Sequence, residues 1–290
     1  MKSGTSLSKC YGIINRFSED CDLTINKEFI GITEDAEIIA SKSRNQRDKS
    51  LSTLATAAKN KVNDYLKPLL ENKFKLELTN HLGENEWRIE SDPTDNDNQT
   101  LLFFYPTTLE TDKNNYIRSV IKLEFGARGD VIPNESKIIS PYIYDALPEV
   151  FHSKPAIPVH TLTAKRTFWE KATLLHAEHH RKADKPPKDR MFRHYYDIAM
   201  LDMNGVTKQA LSDPQLLNTV LMNKKTYFAS SSANYETATI GTIHLMPNEL
   251  FTETLRQDCR EMSEMFFQRA PDFDEIMTKV AQIETTINSQ

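Results

Sequence analysis

The feature that most constrains the fold is a change of hydrophobic period near residue 163. Before it, residues 74–78, 87–90, 101–105 and 116–125 read as strands. Short strands are also expected over 137–147 and 157–162. After it, apolar residues recur at helical spacing over 164–181, 189–204, 214–227, 248–267 and 272–287. Asp213-Pro214 reads as a cap followed by proline in the first turn, and Asn204-Gly205 as a helix stop. The expected fold class is α+β, with residues 1–162 as one domain and an all-helical bundle domain over 163–290. Two further helices are expected in the first domain, over 5–16 and 46–72, the second bent near Pro68.

The chain of 290 residues, 39% of them hydrophobic, can bury a sizeable core. Its net charge of −5 argues against a general nucleic-acid coat. Cys10, Cys21 and Cys259 show neither disulfide nor metal spacing and read as free thiols of a reducing, cytoplasmic compartment. No apolar run is long enough for a membrane span.

Chemistry concentrates at the start of the chain. Gly4-Thr5-Ser6 is a small-residue turn opening a helix, whose free N–H groups suit a phosphate. Asp20 and Asp22 follow on an expected strand, where residues two apart share a face. Two carboxylates on one face repel unless a cation separates them, and hard oxygen donors favour Mg²⁺ or Mn²⁺. A bare D-x-D is also what two surface aspartates on a strand edge look like. In 116–125, Val120, Lys122 and Glu124 face one way, and Ile121, Leu123 and Phe125 the other. Glu124 is a candidate third carboxylate or base, or a solvent-facing side chain paired with Lys122 or Arg128.

Residues 165–193 hold nine Lys or Arg and four acids, a net +5 against −10 for the rest. This segment is where an RNA or triphosphate would be electrostatically favoured, or it is a solvated helical hairpin. His176 and His180 have the i,i+4 spacing of a zinc pair, with no evident third ligand. Asp197 reads either as a local partner of Arg193 or as a group near Lys171.

Lys2-Ser3-Gly4-Thr5-Ser6-Leu7-Ser8-Lys9 and Arg16-Phe17-Ser18-Glu19-Asp20-Cys21-Asp22 resemble the opening pattern of the AbiEii and AbiGii abortive-infection toxins. Phe168-Trp169-Glu170-Lys171 through His176, and Arg193-His194-Tyr195-Tyr196-Asp197-Ile198, resemble that family's later motifs. The resemblance covers residues 2–198 and implies a polymerase-β-like minimal nucleotidyltransferase domain, with a mixed sheet, joined to a helical domain. It implies Mg²⁺-dependent (or Mn²⁺-dependent) transfer of NMP from an NTP, onto a cellular RNA such as tRNA. Asp20, Asp22 and Glu124 would hold the metal ions. Gly4, Thr5 and Ser6, with Lys9 and Ser18, would bind the nucleotide. Lys171 would neutralise triphosphate charge, and Asp197 would orient it or the helix pair. A cognate antitoxin is the implied protein partner. Ser3 stands where the family usually has a glycine, and a positive φ there would be costly. The motif begins at residue 2, where the family normally carries further elements, so weakened activity is expected. The alternative is a nucleotide-binding or interaction protein with a degenerate site.

Overall fold

The computed structural model describes residues 1–18, 20–83, 85–107 and 119–290. Helices are mixed with two small sheets. The chain divides into two units, Met1–Thr5 with Ser18–Val131, and Ser6–Phe17 with Ile132–Gln290. Among the described residues no helix is long and apolar enough to cross a membrane.

In the first unit a four-stranded sheet runs in the order β1-β4-β3-β2. The strands are β1 (Asp20–Thr24), β2 (Arg88–Ser91), β3 (Thr100–Phe104) and β4 (Val120–Gly126). β1 pairs with β4 in parallel, whereas β3 is antiparallel to both β4 and β2. Residues 116–118, expected to begin the fourth strand, lie outside the described residues. The turn between β2 and β3 is built by aspartates. Asp92 accepts from the Thr94 amide and hydroxyl, and Asp95 from Asp97 N, Gln99 N and the Thr100 hydroxyl.

One long helical run backs this sheet. It comprises α3 (Arg44–Asn60), a π turn over Lys61–Leu66, and α4 (Lys67–Leu78), after the short α2 (Ala36–Ala40). Lys67 N donates to Val62 O, five residues back. Pro68 has no N–H for the next bond, and the slipped ladder just before it accommodates that loss. Leu54, Ala58 and Val62 are buried at helical spacing. Gln99 Nε2 reaches Ala55 O, and Asn63 bonds both Asn98 O and Ser91. The strand expected at 74–78 is instead the end of α4. Lys-Phe-Lys-Leu-Glu-Leu alternates, yet no turn residue separates it from the helix. The Phe74 ring packs 4.6 Å from Phe103, so tertiary packing overrides the period-two pattern.

The helix expected over 5–16 is α1, Ser3–Lys9, and it stops where Gly12 takes a φ of +61°. Glycine reaches that region without steric cost, and the chain then runs on without further helix to Arg16.

The second unit carries the hairpin β5 (Asn134–Ile139) and β6 (Ile157–Leu162), with α5 (Tyr142–Ala146) between them. Its later helices are α6 (Ala164–His179), α7 (Phe192–Met203), α8 (Val206–Leu211), α9 (Pro214–Tyr227), α10 (Thr252–Glu261) and α11 (Phe273–Asn288). α6 packs against α7, α8 and α9, while α10 and α11 pack on α7. Phe168, Trp169, Leu175, Phe192, Ile198, Leu201 and Val280 are fully buried in this core. Gly205, at φ +74°, breaks the chain between α7 and α8 as expected. Asp213 makes no cap bond to α9, because its carboxylate is taken by Lys165 at 2.6 Å.

Candidate active site

The parallel register of β1 on β4 sets Asp20 beside Lys122 and Asp22 beside Glu124. Cross-strand partners share a face, so the three expected carboxylates stand together on one side of the sheet. An opposite-charge pair thus neighbours a like-charge pair. Like charges directly opposite are destabilising, and two lysines offset this one. The Lys122 ammonium lies 2.6 Å from Glu124 Oε1 and 3.8 Å from Asp92 Oδ2. Lys2 faces Asp22, whose backbone carbonyl also accepts from Lys2 N at 3.1 Å.

Burial raises the Asp22 carboxyl above its ordinary pKa; Glu124 and Asp20 add to the rise, while Lys2 and a hydrogen bond from Ser3 oppose it. Burial acts to lower Lys122, but Glu124, Asp20 and Asp92 outweigh it and hold the ammonium above its ordinary pKa. All of these donors are oxygens, which suits a hard divalent cation. Among the described residues no three His, Cys, Asp or Glu side chains are gathered closely enough to hold a metal ion as they stand.

The opening turn is placed beside these strands within the same unit. The Thr5 hydroxyl bonds the Asp20 carbonyl and lies 3.1 Å from Ser18 Oγ. Gly4 is buried, and Ser3 holds a φ of +61°, the backbone that a glycine would adopt freely. Glu19 of the motif lies outside the described residues.

The other expected site residues belong to the second unit. Ser6 is fully buried. Lys9 Nζ stacks over the Tyr142 ring and reaches Ser140 O at 3.3 Å. Lys171 and Asp197 do meet, at 2.7 Å. Asp197 is also gripped by Arg16 through two bonds, Nε to Oδ1 at 2.9 Å and Nη2 to Oδ2 at 2.8 Å. All three side chains are nearly fully buried. Burial opposes the charge on Asp197, but Arg16 and Lys171 overcome it and hold the carboxyl far below the usual range. Burial lowers Lys171 despite Asp197, and it keeps His194 neutral, so that Nδ1 can accept from Lys171 at 3.3 Å. The expected local pairing of Asp197 with Arg193 gives way to this longer-range arrangement. Arg16 carries it and was not among the sequence candidates, although it opens the R-x-S-x-D-x-D motif.

The basic segment is less open than its sequence charge suggests. Lys165 pairs with Asp213, Arg166 with Glu170, Lys171 with Asp197 and Arg181 with Glu178. Lys182, Lys185 and Lys188 are exposed. The histidines form a cluster. His176, His179 and His180 are joined by His244, with His179 and His244 stacked 4.3 Å apart. His176 accepts from His244 N at Nδ1 and meets Asn234 O and the Thr237 hydroxyl at Nε2, so its ring is a satisfied core group.

No curated protein and no solved structure matches the chain. A family model does, over residues 2–279, and its description is "Nucleotidyl transferase AbiEii toxin, Type IV TA system". That match takes in both units and nearly the whole sequence, and the chain belongs to the AbiEii nucleotidyl transferase toxin family.

Proposed function

We propose that this protein transfers NMP from an NTP to an acceptor hydroxyl with a divalent metal, Mg²⁺ or Mn²⁺, and that the acceptor is a cellular RNA such as tRNA. The reading rests on one observation, the β1–β4 register that places Asp20, Asp22 and Glu124 on one face. Those three carboxylates would hold the metal. Bound there, it would stabilise charge on the attacking and leaving oxygens. The acceptor oxygen bonds the α-phosphorus, the bond to the β-phosphate oxygen breaks, and pyrophosphate leaves. The hydroxyl proton passes to a carboxylate of the same face.

Gly4, Thr5 and Ser18 would position the triphosphate from beside Asp20. Ser6 and Lys9 would act by holding α1 in place, given the burial of one and the engagement of the other. For Lys171 and Asp197 the geometry favours positioning over direct contact, because the ammonium is already committed to Asp197 and His194. The RNA would meet the exposed Lys182, Lys185 and Lys188. The change of hydrophobic period near residue 163 supports residues 1–162 as the nucleotidyltransferase domain and 163–290 as a helical bundle domain. The family implies a cognate antitoxin as partner, and the cytoplasm is the compartment proposed.

Incubating the protein with total RNA, Mg²⁺ and each α-³²P-NTP in turn tests the reading. Label should enter RNA and be lost in Asp20→Ala. NTP binding without any transfer would favour a degenerate site, and label on protein alone would replace the acceptor.

A further inference from the structure

Lys122 has no role in the family motifs or in the transfer reaction above, yet its ammonium is in direct contact with a carboxylate of this face. Its position is set by the sheet: two residues from Glu124 on β4, and directly across from Asp20 on β1. Its ammonium has two carboxylates within reach, Glu124 at 2.6 Å and Asp92 at 3.8 Å. Asp92 is well fixed, since its other oxygen, Oδ1, is held by the Thr94 amide and hydroxyl.

We propose that Lys122 is the resident counter-cation of this face, and that a divalent metal binds by displacing its ammonium from Glu124 toward Asp92. The inference rests on the metal-dependent reading above and adds the group that tunes metal affinity. An ammonium at Glu124 and a divalent ion at the same oxygens cannot both be accommodated, because like charges at contact distance repel strongly in a partly desolvated site. In the free protein Lys122 neutralises Glu124, beside the Lys2 that faces Asp22. When the metal takes over that task, Asp92 supplies the ammonium with a second carboxylate only a short side-chain rotation away. Lys122 is thus a positioning residue. It holds Glu124 before the metal arrives and sets the threshold concentration at which the metal enters.

Calorimetric titration of the full chain with Mn²⁺, without nucleotide, tests this. Lys122→Met should bind Mn²⁺ about three- to tenfold more tightly than the wild type, the range expected when a half-exposed competing charge is removed. Asp92→Asn, which keeps the Oδ1 bonds to Thr94 and removes only the landing charge, should bind it a few-fold more weakly. Lys122→Gln serves as the second variant if the methionine variant is misfolded by circular dichroism. Unchanged or weaker Mn²⁺ binding in a folded Lys122 variant, beside measurable wild-type binding, overturns this inference and leaves the proposed function standing. No Mn²⁺ binding in any variant, the wild type included, overturns this inference, while the labelled-NTP transfer assay decides the proposed function.

Discussion

Two groups of charged residues in this protein have the same ingredients and opposite balance. On the β1–β4 face, Asp20, Asp22 and Glu124 are half-buried and stand side by side, with Lys122 and Lys2 as partial relief. In the second unit, Asp197 is alone among cations, gripped by Arg16 and Lys171 with every partner nearly fully buried. The first arrangement sets like charges side by side, which stability alone would not select and a metal or substrate would relieve. The second is satisfied in all its bonds, as a structural network must be when buried. Family motifs run through both, and what differs between the two groups is the charge balance around each carboxylate.

Removing one carboxylate from each group should give opposite results. Asp197→Ala strands Arg16 and Lys171 in the core and should lower unfolding free energy by about 3–5 kcal/mol. Asp22→Asn removes a repelled charge and should leave stability unchanged or slightly raised. Urea denaturation of the two variants checks this, and equal losses would erase the contrast.

The pH dependence should differ in the same sense. Asp197 has a lowered folded pKa, so its contribution is complete above the unfolded value of 3.8 and is lost as pH falls below it. Asp22 has a raised folded pKa, so its ionisation costs stability as pH rises through and above 3.8. His176, lowered to about 4 chiefly by burial, is neutral in the fold. Its contribution is complete above 6.5 and is lost as pH falls from 6.5 toward 4. Thermal melts across pH 4–7 should therefore show an acid-side decline that His176→Gln flattens and Asp22→Asn does not.

The smallest expected effect is at Ser3. A left-handed backbone costs a non-glycine residue about 1–2 kcal/mol, so Ser3→Gly relieves strain. It also deletes the hydrogen bond to Asp22. The net change in melting should stay within about 1 kcal/mol, with Asp22 titrating higher.

The sequence was most legible where a local pattern and its tertiary setting agree. The strands around residues 88–91, 100–104 and 157–162, the aspartate turn at 91–98 and the stop at Gly205 all belong to that class. At residues 74–78 the alternating pattern described a helix end, because Phe74 packs on Phe103 from a helix rather than a strand. Asp20, Asp22 and Glu124 could be named from spacing, since a two-residue period fixes a shared face. Arg16 could not be assigned a role, because its partner is 181 residues away. His244 joins the histidine cluster from 68 residues beyond His176. Over 165–193 part of the charge is neutralised from outside the segment, Lys165 by Asp213 and Lys171 by Asp197, which local spacing does not reveal.

The central claim is that the repelled carboxylates of the β1–β4 face are the chemical centre. The most direct measurement is the rate of Mg²⁺-dependent NMP transfer to RNA by Asp22→Asn, at a temperature where its fold is intact. A loss of about a thousandfold or more without any fall in melting temperature is predicted. Transfer at the wild-type rate by the folded variant would contradict it.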